Sequence, residues 1–224
     1  MKREMIATKD GSFTIAIPEK NVTYHSIYGA IQESRHVFIN AGLNYITCNA
    51  ADRDVLYLLE IGLGTGLNAL LTFLETEKAE RAVHYTAIEP FPLTLEEIAR
   101  LNYCGQLNRE DVKDRFFKLH ECEWERNSSL SSLFTIYKSG KSLFEFTGAK
   151  YHLVYFDAFA PTSEPDLWSQ SIFEKLYSML LPGGVLVTYC SKGEVRRAML
   201  RAGFAVEKIP GPPGKREMIR AIKK

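Results

Sequence analysis

The sequence lacks the features that mark several common protein classes. Its four cysteines are scattered and form no C-x-x-C pair, which argues against a disulfide framework and a zinc site. Its five histidines show no metal-ligand spacing. No window approaches the roughly 20 apolar residues that a membrane span needs, and the N-terminal MKREMIATKDGS has no signal-peptide apolar run. We therefore expect a soluble, cytoplasmic protein that needs neither a metal nor a membrane.

Charge is unevenly distributed along the chain. The 224 residues, 46% of them hydrophobic, suffice for one well-buried core, and their net charge is only +1. From Cys190 onward, however, the sequence has ten basic and three acidic residues. This basic C-terminal part is compatible either with an anionic partner such as nucleic acid or with a solvated basic face.

Apolar stretches alternate with helical patterns. VLYLLEIG, VHYTAIE, HLVYFD and the second half of LLPGGVLVTYCS have the composition of buried strands, and helix-spaced apolar residues lie between them. This alternation predicts an α/β fold with a doubly wound, mostly parallel sheet. EMIATKDGSFTIAI predicts an additional β-hairpin around Asp10 and Gly11. We assign the hairpin extension to residues 1–50 and the main domain to residues 51–224.

Acidic residues and glycines stand at the ends of these strands. Open parallel sheets bind ligands beyond the carboxyl ends of their strands. Glycines there let the backbone turn tightly, and the following helix offers free amides. The residues expected to line one crevice are Glu60, Gly62, Gly64, Gly66, Glu89 and Asp157.

The glycine spacing favours S-adenosylmethionine over a dinucleotide. LEIGLGTGLNALL has the spacing G-x-G-x-G, so Leu67 stands where a dinucleotide enzyme needs its third glycine. Glu60 would repel a pyrophosphate but attract the ammonium group of a methionine moiety. Glu89 is suitably placed to accept hydrogen bonds from the ribose hydroxyls of an adenosine.

FDAFAP, at residues 156–161, resembles the D-P-P-Y type of loop in amine methyltransferases. Asp157 and neighbouring carbonyl groups could accept hydrogens from an amine and direct its lone pair at a methyl group. Phe159 could pack against a base or a sulfonium. Both residues also have plain structural interpretations, Asp157 as a cap and Phe159 as ordinary packing.

Motifs that carry a family resemblance are spread from about residue 24 to the C-terminus. They are QESRHVFINAGL, EIGLGTGLNALL, IEPFPLT, FDAFAP with PDLW, and SKGEVRRAMLRAGF followed by GKREM. Together they resemble the methyltransferases of the MnmC/MnmD type. The resemblance implies a Rossmann-like class I fold with a seven-stranded sheet. It also implies methyl transfer from S-adenosylmethionine to wobble 5-aminomethyl-2-thiouridine in tRNA, giving 5-methylaminomethyl-2-thiouridine.

The resemblance also implies roles for particular residues. Asp157 would be catalytic, at the place where methyl donor and amine meet. Ser142 falls where many relatives have an aspartate that can contact adenine, so here the backbone would have to serve. Glu33, Ser34 and Arg35 lie in the family's E-[ST]-R stretch, which would cover the pocket with Glu33 near the substrate; a plain helix surface is the alternative. The cofactor positions are Glu60, Gly62, Gly64, Gly66, Asn68 and Glu89.

The basic tail would then bind tRNA, with an affinity that falls as salt rises. The residues expected to contact its phosphates are Lys192, Arg196, Arg197, Lys215 and Arg216. In bifunctional relatives an FAD-dependent oxidase domain follows the methyltransferase, whereas this chain ends soon after GKREM. We therefore expect no FAD domain and a separate upstream enzyme that forms the aminomethyl group.

Alternative functions remain open at this point. An aminopropyltransferase of the spermidine-synthase kind shares the fold, although its G-G-G-D-G-like loop is absent here. The methyl acceptor could be another amine. An NAD-dependent oxidoreductase is disfavoured by the glycine spacing. A non-catalytic RNA-binding module would keep the fold without binding S-adenosylmethionine.

Overall fold

The computed structural model describes residues 2–49 and 54–224. The predicted hairpin consists of β1 (Glu4–Ala7) and β2 (Phe13–Ile17), which pair antiparallel. A short strand, β3 (Val22–Thr23), adds to the other edge of β2, which makes a small three-stranded sheet.

A continuous helical stretch follows this small sheet. It consists of α1 (Ala30–Ser34), a π-helical segment (Arg35–Asn44) and α2 (Tyr45–Asn49). The stretch packs on the main sheet, where the Phe38 ring centroid lies 5.1 Å from that of Tyr155. The N-terminal region therefore shares the main core, and the predicted domain boundary between residues 50 and 51 lies outside the described residues.

In residues 54–224 the main sheet has eight strands, in the order β10-β11-β9-β8-β4-β5-β7-β6. Strands β4, β5, β7, β8 and β9 pair parallel, which confirms the predicted doubly wound sheet. Short β6 extends the expected seven strands at one edge. The bounds are β4 (Val55–Ile61), β5 (Ala82–Ile88), β6 (Asn127–Ser129), β7 (Phe134–Ser139), β8 (Tyr151–Phe156), β9 (Leu180–Thr188), β10 (Ala205–Pro210) and β11 (Glu217–Ile222).

Helices cover both faces of the main sheet. None of the helices within the described ranges has the length and apolar character that a bilayer crossing requires. Short 3-10 turns occur at Pro18–Lys20, Glu110–Val112 and Pro165–Trp168. The remaining helices are α3 (Leu67–Ala79), α4 (Leu95–Ala99), α5 (Tyr103–Gln106), α6 (Lys113–Glu121), α7 (Gln170–Met179) and α8 (Gly193–Arg201).

Successive residues of β4 point to opposite faces of the sheet. Leu58 packs in the core beneath the N-terminal helical stretch and α3, whereas Leu59 packs in the core beneath α7 and α8. Glu60 therefore faces the same side as Leu58, between the sheet and α3.

The topological switch point lies between β4 and β8. From β4 the chain forms β5 and then β7 on one side, and β8 and β9 follow on the other. Backbone hydrogen bonds continue past the ends of β4, β5 and β8. Asp157 N donates to Ile61 O at 3.0 Å, and Gly62 N donates to Ile88 O at 2.9 Å. Gly62, Glu89 and Asp157 therefore meet at one edge of the sheet, where ligands are expected.

Candidate active site

A cavity of about 390 Å³ opens at the switch point. This volume lies in the range of small-molecule and cofactor sites. Of the residues predicted for the site, those that line the cavity are Gly62, Gly64, Glu89, Ser142, Asp157 and Phe159.

The first two glycines of the loop are required by its conformation and its neighbours. Gly62 has φ +86°, and a Cβ there would lie 2.8 Å from the backbone oxygen of Asp157. Gly64 has φ +49°, and a Cβ there would lie 2.8 Å from the Tyr24 ring. The loop therefore lies against the FDAFAP backbone on one side and an N-terminal aromatic ring on the other. Gly66 packs against His120 and does not line the cavity.

The Glu89 carboxylate is held by the backbone at the end of β5. Gly64 N donates to its Oε2 and Phe91 N to its Oε1, each at 2.9 Å. Burial raises the pKa of Glu89, and these two hydrogen bonds act in the opposite direction. Because each oxygen keeps a second lone pair, Glu89 can still accept hydrogen bonds from a ligand in the cavity.

Asp157 places one carboxylate oxygen against a buried amide. Asn68 Nδ2 donates to Asp157 Oδ2 at 2.8 Å. Burial, with a smaller contribution from Glu33, raises the pKa of Asp157 to about 7, while the Asn68 hydrogen bond and Lys215 lower it. This carboxylate can therefore exchange a proton near neutral pH.

Glu60 and Asn68 lie beneath the cavity, not in its wall. Glu60 is 0% exposed, and its two oxygens accept hydrogen bonds from Asn68 Nδ2 at 2.9 Å and from the Tyr85 hydroxyl at 2.8 Å. Glu60 points toward α3, and neither residue lines the cavity. The expected contacts of Glu60 with a methionine ammonium and of Asn68 with the cofactor stay predictions.

The FDAFAP loop is held in place by two side-chain donors. Trp168 Nε1 donates to Phe159 O at 2.8 Å, and the Tyr189 hydroxyl donates to Ala158 O at 2.9 Å. The Phe159 ring packs edge-to-face on Tyr24, with the ring centroids 5.2 Å apart. Phe159 thus both packs and lines the cavity.

The segment after β2 covers one side of the cavity with Lys20, Tyr24 and His25. The Glu33–Arg35 stretch does not line the cavity, and its expected role in covering the pocket stays a prediction. His25 Nε2 lies 2.8 Å from Thr65 Oγ1, so the cover is tied to the glycine loop. Burial lowers the pKa of His25 to about 4, which keeps its ring neutral. The sequence carried no signal for this contact, because it joins segments about forty residues apart.

Three further cavity residues bear on the expected adenine site. Ser142 lines the cavity as predicted, but its hydroxyl donates to Glu145 at 2.7 Å. Phe91 and Phe144, which the sequence interpretation missed, also line the cavity and are 69% and 54% exposed. Exposed aromatic faces beside Ser142 offer an apolar contact for a planar base.

Glu33 and Lys215 contact each other outside the cavity wall. Lys215 Nζ lies 2.7 Å from Glu33 Oε1 and 3.9 Å above the Tyr189 ring. The ammonium group of Lys215 is thus engaged by Glu33, and its expected phosphate contact stays a prediction. Lys192, Arg197 and Arg216 are exposed.

Arg196 is half-buried. His36, on the N-terminal helical stretch, is also half-buried, and its Nε2 lies 2.8 Å from the backbone oxygen of Pro210 at the end of β10. Predicted Ser34 is buried and Arg35 is exposed on the same stretch. The N-terminal extension and the basic tail therefore meet beside the site. Neither Glu33 nor any basic residue after Cys190 lines the cavity.

A doubly wound parallel sheet with a cavity at its switch point is the architecture of class I methyltransferases. Residues 111–224 match the family described as S-adenosyl-L-methionine-dependent methyltransferase, and the chain belongs to this family. The matched half includes Asp157. The residues fit the cofactor, since backbone at Gly62 and Gly64 and the carboxylate of Glu89 face a cavity of suitable size.

Among known proteins, the chain is similar to tRNA 5-methylaminomethyl-2-thiouridine biosynthesis bifunctional protein MnmC. It is 30% identical to the protein from Cupriavidus metallidurans, over 96% of this chain and 33% of that protein. It is 31% identical to the one from Aromatoleum aromaticum, over 88% of this chain and 32% of that protein. The chain thus spans about a third of the length of these relatives.

Among solved structures, MnmC2 from Aquifex aeolicus superposes with a TM-score of 0.79 at 26% identity, covering all of this chain and 70% of that one. A putative class I S-adenosylmethionine-dependent methyltransferase from Listeria monocytogenes shares the fold at a TM-score of 0.50 and 13% identity, covering 87% of this chain and 61% of that one.

Proposed function

We propose that this protein methylates the amine of wobble 5-aminomethyl-2-thiouridine in tRNA, giving 5-methylaminomethyl-2-thiouridine. The observation that carries the proposal is the Asp157 carboxylate in the cavity wall, whose Oδ2 is held by Asn68 Nδ2 at 2.8 Å. Such a group suits an amine acceptor. The names of the MnmC relatives supply the nucleoside, which differs from its aminomethyl counterpart by one N-methyl group.

The residues of the site divide the chemical work. Gly62 and Gly64 would hold S-adenosylmethionine through their backbone, and Glu89 would hold its ribose. When bound, the cofactor supplies a methyl group on a positively charged sulfur. Asp157 accepts a hydrogen bond from the substrate amine and takes its proton, because an alkylamine must be uncharged to act as a nucleophile. Most of the acceleration comes from holding the amine in line with the methyl group.

The tRNA would contact the exposed basic residues near the site. Lys192, Arg197 and Arg216 are the candidates for phosphate contacts, and half-buried Arg196 could add a further one. We leave Lys215 out of this set because its ammonium group pairs at 2.7 Å with the buried carboxylate of Glu33, whereas the pair of Lys192 with Glu194 is exposed and 4.0 Å long. Methylation consumes an amine that must already be present on the uridine, so a separate enzyme would act first to form the aminomethyl group.

The test uses tRNA that carries 5-aminomethyl-2-thiouridine. After incubation with protein and S-adenosylmethionine, mass spectrometry of the nucleosides should show conversion to the methylated form. Asp157→Ala should lower turnover by about 100-fold or more, as expected for loss of a general base. The matched control is Glu174→Ala, which removes an exposed carboxylate on α7 and should leave turnover unchanged.

Three outcomes would contradict the proposal. Unchanged aminomethyl-uridine with a protein that binds the methyl donor would remove this substrate. Methylation of small amines but not of tRNA would favour another amine acceptor. Absence of donor binding, with tRNA binding retained, would favour a non-catalytic RNA-binding module.

A further inference from the structure

Three hydrogen bonds join Tyr85 to Asp157 through Glu60 and Asn68. The Tyr85 hydroxyl donates to Glu60 Oε2 at 2.8 Å, Asn68 Nδ2 donates to Glu60 Oε1 at 2.9 Å, and the same nitrogen donates to Asp157 Oδ2 at 2.8 Å. The four residues belong to β5, β4, the start of α3 and the loop after β8. The series therefore links the core beneath the sheet edge to the carboxylate in the cavity wall.

We propose that Glu60 and Tyr85 are positioning residues that fix the amide of Asn68 and, through it, the carboxylate of Asp157. The proposal rests on the proposed role of Asp157 toward a substrate amine. Neither Glu60 nor Tyr85 lines the cavity. Their influence on the reaction is therefore transmitted through Asn68.

Asn68 can transmit orientation because its amide group is planar. Its two N–H bonds point in fixed directions, and one carboxylate lies along each. Its Oδ1 is buried and has no partner within the described chain. Rotating the amide by half a turn would place that oxygen against two carboxylate oxygens, which is repulsive when they are ionised. Anchoring one N–H at Glu60 therefore sets the direction of the other.

The burial of Glu60 is difficult to explain by packing alone. Burial raises its pKa well above the usual range, while the hydrogen bonds from Tyr85 and Asn68 act in the opposite direction. An apolar side chain would fill this space without the cost of desolvating a carboxyl group. The group that Glu60 does hold, at 2.9 Å, is the amide that contacts Asp157.

Two measurable effects follow at Asp157. With Oδ2 fixed by Asn68, the Asp157 carboxylate keeps one orientation in the cavity wall, so a loosened Asn68 should lower kcat. The Asn68 hydrogen bond also lowers the pKa of Asp157. A loosened Asn68 should therefore raise that pKa, and the carboxylate would become protonated at a higher pH.

The experiment compares Glu60→Gln and Tyr85→Phe with the wild type. Glutamine keeps the volume of Glu60 but turns an N–H toward one of its two donors, and phenylalanine removes only the hydroxyl of Tyr85. We expect kcat at saturating donor to fall about tenfold or more in each variant, as for loss of a buried hydrogen bond. The dissociation constant of S-adenosylmethionine, measured by calorimetry, should change by less than about twofold.

Tyr155→Phe is the matched control. It removes another buried tyrosine hydroxyl, which lies 3.2 Å from Thr72 Oγ1 and outside the series. An independent readout is the carbon-13 NMR titration of the Asp157 carboxyl group in donor-free protein. Its midpoint should move upward in Tyr85→Phe, which changes no charge, and stay at the wild-type value in Tyr155→Phe.

Two results would overturn the inference. One is donor affinity that weakens tenfold in Glu60→Gln with kcat unchanged, since that pattern marks a direct cofactor contact. The other is a Tyr85→Phe variant whose kcat and Asp157 titration match those of Tyr155→Phe. Because the titration needs neither donor nor tRNA, it tests the positioning of Asp157 even if the tRNA substrate proves wrong.

Discussion

Lys215 and Glu33 form an ion pair that joins the segment before β11 to α1 of the N-terminal helical stretch. Lys215 Nζ lies 2.7 Å from Glu33 Oε1, and Glu33 Oε2 accepts a hydrogen bond from Ser26 N at 2.7 Å. Tyr189 makes two contacts here. Its ring lies beneath Lys215, and its hydroxyl donates to the backbone oxygen of Ala158, the residue after Asp157. The pair is close enough to act on Asp157, since Glu33 raises the pKa of Asp157 and Lys215 lowers it.

Neutralising Lys215 and neutralising Glu33 should shift the pH dependence of turnover in opposite directions. Turnover requires ionised Asp157, whose pKa is raised to about 7, so activity should be lost as pH falls through that value. Lys215→Gln removes a positive charge and should move the acid limb of the kcat profile to higher pH. Glu33→Gln removes a negative charge and should move it to lower pH.

The control for these profiles is Lys208→Gln. Lys208 pairs with Glu217 across the β10–β11 hairpin at 2.7 Å, and it does not contribute to the pKa of Asp157. Its acid limb should coincide with that of the wild type. Shifts of the same sign in Lys215→Gln and Glu33→Gln would contradict the electrostatic coupling.

Much of the sheet edge could be predicted from sequence because strand ends are local features. Glu89 and Asp157 directly follow apolar runs, and parallel strands bring their carboxyl ends to one edge. The direction of Glu60 could not be predicted in the same way. The run VLYLLEI is almost continuously apolar, so it does not show which face of the sheet each residue occupies.

Alanine at the first two glycines of the loop should have different effects. Gly62→Ala places a Cβ 2.8 Å from the backbone oxygen of Asp157 at φ +86°, so relief of this contact requires a shift of the FDAFAP loop. Gly64→Ala meets the side chain of Tyr24, at a φ of +49° that is less unfavourable for alanine. We expect Gly62→Ala to lower the free energy of unfolding by about 1–3 kcal/mol, and Gly64→Ala by less.

Urea denaturation and calorimetric titration of the donor measure the two effects. Gly64→Ala should show mainly as weaker donor binding, because Tyr24 must move and Tyr24 lines the cavity. Equal losses of stability in both variants would mean that the Tyr24 cover is as rigid as the backbone of the FDAFAP loop.

Glu89→Gln should weaken binding of the adenosine part of the donor. The NH2 group of glutamine would face the backbone N–H of either Gly64 or Phe91, which is also a donor. Glutamine also has one acceptor oxygen fewer for the ribose hydroxyls. We expect the dissociation constant of S-adenosylmethionine to rise about tenfold or more. The affinity of adenosine, measured by its competition with S-adenosylmethionine, should fall by a similar factor. The affinity of methionine, measured in the same way, should not change.

Glu96→Gln, at an exposed position in the first turn of α4, is the control for Glu89. It should bind donor, adenosine and methionine like the wild type. If Glu89→Gln weakened methionine competition as strongly as adenosine competition, the ribose assignment would be wrong and a general loss of loop order would explain the result.

The basic tail illustrates why charge counts predict a surface only in part. Ten basic residues follow Cys190, but Lys208, Arg220 and Lys215 are paired with Glu217, Glu207 and Glu33 at 2.7–2.8 Å, and exposed Lys192 lies 4.0 Å from Glu194. The first two pairs join neighbouring strands, whereas Glu33 is 182 residues distant from Lys215 along the chain. Only the folded structure separates these engaged residues from the exposed ones.

Charge reversal of the exposed basic residues should therefore weaken tRNA binding, whereas neutralising Lys215 should not. In the variant with Lys192→Glu, Arg197→Glu and Arg216→Glu, affinity should fall and the dependence of log K on log salt should become shallower by about one for each lost phosphate contact. Lys215→Gln should keep the wild-type slope. The matched control Lys113→Glu reverses an exposed charge on α6. Unchanged donor binding in all variants would show that each is folded, and an unchanged slope in the triple variant would place the tRNA on another face.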